Sequence, residues 1–360
     1  MGKLLSIEKA GKARFFCVRA VHPCPQGGLS AQLGDQLNLH ACAQRDLCHA
    51  EGAACMRALL GAEDLAQQLQ VSRTSIWKGI QTLEKKGLVI ESARHHGYKL
   101  LEGDLLVPSQ LSQDLNIPVF YHDQSQSTQM DAKLGIDHNH PTPALYLAPH
   151  QEAAKGRYGR PFYAAKTGGI YMSLHLAPDV PLTEFKPYTI LVAAAIVKTI
   201  QELTQLPVQI KWVNDIYLQG KKVAGVLTEA ISSMEAQTVT DVIIGVGINF
   251  HLPSFPKDLA KKAGNLFQEP PTITRQELIR AIWNNFFQSS EEELMAIYKE
   301  NSLVLGKQVS FVRQETTYQG LATQVTDAGH LVVRLEDGQE KILSSGEISL
   351  SSWSDFPPHE

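Results

Sequence analysis

Between Lys155 and Arg160 the chain sets three cations, Lys155, Arg157 and Arg160, and two glycines, Gly156 and Gly159, into six residues. A segment this charged and this free in its backbone cannot be the interior of a helix or strand, so it must be a loop carried by a larger scaffold. Its N–H groups can approach an anion while the cations supply charge and forked hydrogen bonds, which makes it a cradle for a phosphate or acyl phosphate. Further on, Lys211 sits at the end of the apolar, β-prone run from Pro207 to Trp212. A lysine fixed there can stabilise charge developing on a reacting phosphate. Asn214 and Asp215 follow in the turn, and Asp215 reads either as orienting Lys211 or a metal, or as closing the turn.

Upstream the pattern changes to helix, turn, helix. Leu65, Ala66, Leu69, Val71, Ile76, Ile80 and Leu83 recur at helical spacing across Ala62 to Lys86 and form a seam between two helices. Ser72 is a natural N-cap for the second helix, whose exposed start offers Arg73, Thr74, Ser75 and Lys78, with Ser72 itself, to a DNA major groove. Residues 87–91 and 97–100 read as the strands of a wing, with Arg94, His95 and His96 near its tip for phosphate contact. A first helix behind these two is expected at about Arg45 to Leu60, although Gly52 weakens it.

All five cysteines fall between Cys17 and Cys55, in a segment without clear helical or strand periodicity. It holds no C-x2-C pair, so no metal site is expected, and residues 1–55 read as a disordered or anomalous extension. A net charge of −4 rules out a protein coated by nucleic acid and requires any DNA contact to come from a local patch. The longest apolar run, Tyr188 to Ile200, is too short to span a bilayer, and the N-terminus lacks a secretory h-region. A cytoplasmic protein without a membrane segment is expected.

Two more elements stand in order with the cradle and with Lys211-Trp212-Val213-Asn214-Asp215. They are Ser127-Thr128-Gln129 upstream, and the pair Lys221 to Leu227 (KKVAGVL) and Ile243 to Asn249 (IIGVGIN) downstream. The set resembles the biotin-protein ligases and, because a winged helix-turn-helix precedes it, the bifunctional biotin ligase/biotin-operon repressors of bacteria, over about Met56 to Ser352.

That resemblance implies an α+β chain. Residues 56–102 would form the winged helix-turn-helix DNA-binding domain, 109–303 a central α/β catalytic domain of the biotin/lipoate ligase type with a mixed sheet, and 304–352 an SH3-like β-barrel. It implies ATP-dependent conversion of biotin to biotinyl-5'-AMP with Mg2+, then transfer to a lysine of the biotin carboxyl-carrier protein of acetyl-CoA carboxylase. It also implies repression of the biotin operon by a ligand-dependent homodimer on operator DNA. Two other readings remain open: a lipoate-protein ligase, and a biotin-sensing DNA-binding repressor without ligase activity.

By the same resemblance Lys211 and Arg157 are catalytic, and Ser127, Thr128, Gln129, Gln151, Lys155, Gly156 and Gly225 join them around biotin or its adenylate. Arg160, Phe162 and Asn249 would hold the nucleotide, and no protein metal ligand is expected. The chain departs from the family pattern in four places. Gln129 stands where asparagine is usual, Ala154 where glycine is frequent, Lys155 where arginine is frequent and Phe162 where tryptophan is often found. Lysine at 155 keeps the charge but loses the bidentate fork.

Overall fold

In a computed structural model of the chain, residues 61–85, 89–93, 97–102, 104, 106–346 and 348–350 are described. The expectations for residues 1–55, for a first helix at 45–60 and for Arg94, His95 and His96 lie outside them. The chain divides into two compact units at the Lys99/Leu100 junction. The expected catalytic and C-terminal regions fall together in the second unit.

In the first unit, α1 (Ala62–Gln68) and α2 (Arg73–Lys85) bury Leu65, Ile76, Ile80 and Leu83, as the helical spacing requires. Ala66, Leu69 and Val71 are only half-buried. The Ser72 hydroxyl accepts from the Ser75 N–H at 3.1 Å and so caps α2. Strands β1 (Val89–Ala93) and β2 (Gly97–Glu102) form a two-stranded sheet. Gly97 opens β2 at φ +111°, a conformation that a side chain would strain.

The second unit begins with α3 (Pro108–Leu115), where Pro108 occupies the first turn that tolerates a missing N–H. Then follow β3 (Val119–Tyr121), α4 (Thr128–Asp137), β4 (Ala144–Ala148), β5 (Gly169–Leu176), β6 (Val180–Pro181) and α5 (Tyr188–Thr204). After these come β7 (Gln209–Lys211), β8 (Asp215–Leu218), β9 (Lys221–Ser233) and β10 (Thr238–Asn249). The strands build an eight-stranded sheet in the order β3-β4-β5-β10-β9-β8-β7, with β6 paired to β10. Only β3 and β4 run parallel, so the sheet is mixed.

Both faces of this sheet are covered, which explains why β4 is buried at every residue instead of alternating. Ile170, Met172 and Leu174 of β5 join the main core with α5, whose Ala193-Ala194-Ala195 run lets helix and sheet approach closely. Tyr171, Ser173 and His175 point to the other face, where Ala132 of α4 packs with Ala144, Tyr146 and Ile243. Gly135 is obligatory there, because a Cβ would lie 1.8 Å from the Tyr146 hydroxyl. Helices α6 (Arg275–Gln288) and α7 (Glu291–Glu300) pack on α5. α6 starts in a full capping box of Thr274 and Glu277. Among the described residues no helix is long and apolar enough to cross a membrane.

A second sheet is antiparallel and five-stranded, in the order β14-β13-β12-β11-β15: β11 (Gln308–Arg313), β12 (Thr316–Val325), β13 (Leu331–Leu335), β14 (Glu340–Leu343) and β15 (Ile348–Leu350). The Asp327-Ala328-Gly329 and Asp337-Gly338 turn signals fall between strands as expected, with Gly329 and Gly338 at φ +80° and +82°. The first of these turns is seated on the larger sheet's core. The Trp212 indole N–H donates to the Gly329 carbonyl at 2.9 Å, and a Cβ at 329 would press on Ile190. Trp212 is therefore a core residue that also borders the cleft described next.

Candidate active site

One cavity of about 790 Å³ gathers the motifs that the sequence scatters. It is lined by the N-terminus of α4, the 151–162 loop, the β7–β8 turn, the starts of β9, the glycines of β10, Lys261-Lys262, and Gly346, Ile348 and Ser349 of the C-terminal region. Ser127, Thr128, Gln129, Gln151, Lys155, Gly156, Arg157, Arg160, Phe162, Lys211 and Gly225 all face it. Asn249 does not line it. Its amide donates to the Gly264 carbonyl at 3.1 Å, fastening the 261–264 segment to the end of β10.

The charge of the cavity is lopsided. Lys155, Arg157, Arg160, Lys211, Lys222, Lys261 and Lys262 line it against a single carboxylate, Asp215. Such a wall of cations suits a polyanion and not a neutral ligand. Asp215 lies 2.6 Å from the Lys222 ammonium, which gives its carboxylate a structural role beyond closing the turn. Gly225 makes room for this pair, because a Cβ there would sit 3.1 Å from the Lys222 side-chain end.

The cradle loop is held in shape by its own backbone. The Gly156 N–H donates to the Arg160 carbonyl at 2.8 Å and the Phe162 N–H to the Ala154 carbonyl at 2.9 Å. At its far end the Ala165 N–H donates to the buried Tyr171 hydroxyl at 2.7 Å, and burial pushes that phenol up to about 12. Arg157 donates to the Asn214 side-chain oxygen at 3.2 Å and stacks on Tyr158, while Asn214 donates to the Val226 carbonyl at 2.9 Å. The loop is thus tied to the Lys211 turn and to β9.

Lys211 ends β7 with its ammonium 5.9 Å from the Tyr217 ring centre, within cation–π range. Burial, then the Asp215 charge, push the Tyr217 phenol up to about 12, so it remains a neutral wall beside Lys211 at physiological pH.

At the opposite end the pocket is polar but uncharged. The Gln151 carboxamide oxygen accepts from the Thr128 N–H at 2.7 Å, and the Thr128 hydroxyl meets the Ser173 hydroxyl at 2.8 Å. Ser127 stands at the N-cap position of α4 but makes no capping bond, so its buried hydroxyl is not spent on the helix. Phe162 lies against β10, where a Cβ on Gly247 would approach its ring to 2.4 Å. Gly247→Ala is accordingly expected to lower the unfolding free energy by about 1–3 kcal/mol through overpacking. Urea denaturation with an unchanged slope measures it.

Ser173, Tyr217, Lys261 and Lys262 were not singled out from sequence, and Lys222 entered only as part of the KKVAGVL element. A hydroxyl amid the buried run Ile170 to Leu174 was the available signal for Ser173.

Residues 57–99 match an HTH domain model, 119–249 match the Biotin/lipoate A/B protein ligase family, and 304–351 match the Biotin protein ligase C terminal domain. The Bifunctional ligase/repressor BirA of Bacillus subtilis (strain 168) is 31% identical over 79% of this chain and 92% of that protein. The chain belongs to the bifunctional biotin ligase/repressor family. The relative of the same description from Escherichia coli (strain K12) is 24% identical over 81% of this chain and 92% of its own. Among solved structures, a biotin protein ligase from Aquifex aeolicus in complex with biotin and ATP has a TM-score of 0.55 at 26% identity, covering 64% of this chain and 97% of that one. Within this ligase/repressor, the helix-turn-helix model spans α1 and α2, the ligase model spans most of the cleft lining, and the C-terminal model takes in Gly346, Ile348 and Ser349, while Lys261-Lys262 lie between the latter two.

Proposed function

We propose that this ligase/repressor activates biotin with ATP and transfers it to a lysine of the biotin carboxyl-carrier protein. The observation that carries this reading is the convergence of eleven residues expected from sequence on one cavity, uncharged at one end and cationic at the other. Biotin's ring fits the Ser127, Thr128 and Gln151 end, and its carboxylate would extend toward Lys211. A carboxylate oxygen attacks the α-phosphorus of ATP, the bond to the β-phosphate bridge breaks, and pyrophosphate leaves. The acceptor amine then attacks the acyl carbon of biotinyl-5'-AMP, loses a proton and displaces AMP to form the amide.

In both steps negative charge moves onto phosphate oxygens, and Lys211, Lys155, Arg157 and Arg160, which line the cavity, would surround those oxygens. Arg157, braced on Asn214, is suited to retaining the adenylate between the steps. Phe162 against Gly247 offers a flat face for the adenine. Asn249 would act on the nucleotide by holding the 261–264 segment rather than by lining the pocket.

Among the described residues no group of three or more His, Cys, Asp or Glu side chains could hold a metal ion, and Asp215 is engaged by Lys222. Mg2+ would enter as the counter-ion of the nucleotide substrate.

For the repressor role, Thr74 and Lys78 are exposed on α2, while Ser72 and Ser75 share a hydroxyl contact at 2.9 Å and Arg73 pairs with Glu63. DNA entry would exchange the exposed Arg73–Glu63 contact for a phosphate at little cost. Lys78→Ala is expected to weaken binding to operator and to unrelated duplexes alike, and to reduce the slope of log affinity against log salt by about one. Fluorescence anisotropy over a salt series checks it. A ligand-dependent homodimer on operator DNA in the cytoplasm completes the proposal. Incubation with ATP, Mg2+, biotin and the carrier domain tests the enzyme directly.

A further inference from the structure

Gln129 reaches the cavity from the first turn of α4, and its carboxamide is almost fully buried. Its nitrogen donates to a Glu229 carboxylate oxygen at 2.8 Å, across the gap between α4 and β9. Its oxygen has no hydrogen-bond partner in the protein. The second Glu229 oxygen receives the Lys133 ammonium at 3.1 Å, one turn further along α4.

These contacts determine which way the amide faces. A carboxylate only accepts, so the group turned to Glu229 must be the NH2 and the oxygen must be turned the other way. A buried acceptor left without a donor is costly, and native structures rarely leave one unless something else supplies the hydrogen. Gly245 on β10 completes the arrangement, because a Cβ there would lie 3.1 Å from the same oxygen. Gln129 thus lines the cavity with a fixed, unpaired acceptor packed beside Gly245.

We infer that Glu229 is a positioning residue, which locks the Gln129 carboxamide so that its oxygen accepts an N–H of biotin's cyclic urea. This rests on the biotin-ligase reading of the cavity. The urea offers two N–H donors and one carbonyl acceptor, and the Thr128 hydroxyl and Gln151 carboxamide line the same pocket, with the buried Ser173 hydroxyl bonded behind Thr128. Glutamine, one methylene longer than the asparagine usual in the family, needs such a lock because its extra torsion would otherwise let the amide turn. Lys133 holds Glu229 in place from the solvent side.

The test is a double-mutant cycle on biotin-dependent pyrophosphate release by the full chain. Glu229→Gln is isosteric but can present either a donor or an acceptor, so the lock is lost. It is expected to raise the KM for biotin roughly tenfold, as for loss of one buried hydrogen bond, with kcat within about twofold and an unchanged melting curve. Gln129→Leu removes the acceptor and is expected to raise the same KM by at least as much. The double variant should then be no worse than Gln129→Leu alone. An unchanged KM in Glu229→Gln, a kcat that falls with it, or additive effects in the double variant would each overturn the inference. A wild-type protein that releases no pyrophosphate with biotin would show instead that the ligase reading itself is wrong.

Discussion

Lys211→Ala is expected to slow biotin-dependent pyrophosphate release by about a hundredfold to a thousandfold, the usual effect of removing one preorganised charge-stabilising donor. The loss should fall on kcat more than on the KM for biotin, because charge on the α-phosphate and bridging oxygens grows only toward the transition state. Stability should hardly change. Lys211 is half-buried at a strand end, with its ammonium near the face of Tyr217 rather than inside the core. Lys211→Arg keeps the charge but replaces a compact ammonium with a broad planar fork beside the Tyr217 wall, and should recover only a fraction of the rate. Stopped-time pyrophosphate assays with melting curves on the same samples separate the two effects.

Arg275→Ala is expected to produce the largest loss of stability. The Arg275 backbone N–H and Nε both donate to one Asp104 carboxylate oxygen at 2.8 Å, and its guanidinium also reaches the carbonyls of Asp104 and Gly169. With the Val107 N–H donating to Gln276 at 2.7 Å, the segment leading into α3 is strapped onto the start of α6. Both charges are mostly buried, at 14% and 23% side-chain exposure. Removing the cation leaves Asp104 half-satisfied and uncompensated, which costs about 3 kcal/mol, the low end for a buried pair because neither partner is fully dry. For a unit of this size that corresponds to a fall of roughly 6–12 °C in Tm. Adding Asp104→Ala should recover part of the loss, since the orphaned charge is then gone. Scanning calorimetry of the two single variants and the double reads the coupling.

Much of this was legible in the chain. The helical spacing of Leu65, Ile76, Ile80 and Leu83 and the cap at Ser72 are local signals, and local physics fixed them. The C-terminal strands were marked by turn chemistry at Asp327–Gly329 and Asp337-Gly338. The cradle and Lys211 were readable because cations beside glycines, or at the end of an apolar strand, have few other uses.

The relations between distant side chains were not readable. Glu229 looks like one more solvated carboxylate on β9 until the packing of α4 brings Gln129 to it. Asp104 looks like a linker residue until Arg275 closes on it. Lys222 and Asp215 pair beside Gly225, where a Cβ would meet both. Asn249, which the resemblance assigns to the nucleotide, donates its amide nitrogen to the Gly264 carbonyl. In each case a polar group found its partner through tertiary contact, which no spacing rule encodes.

The most direct test incubates the purified protein with ATP, Mg2+, biotin and a biotin carboxyl-carrier domain, with lipoate in parallel, and weighs the acceptor by mass spectrometry. A biotin-sized gain that requires ATP and disappears in Lys211→Ala is the expected result. A gain with lipoate alone, or no gain with either acid, would contradict the assignment of this cleft to biotin transfer.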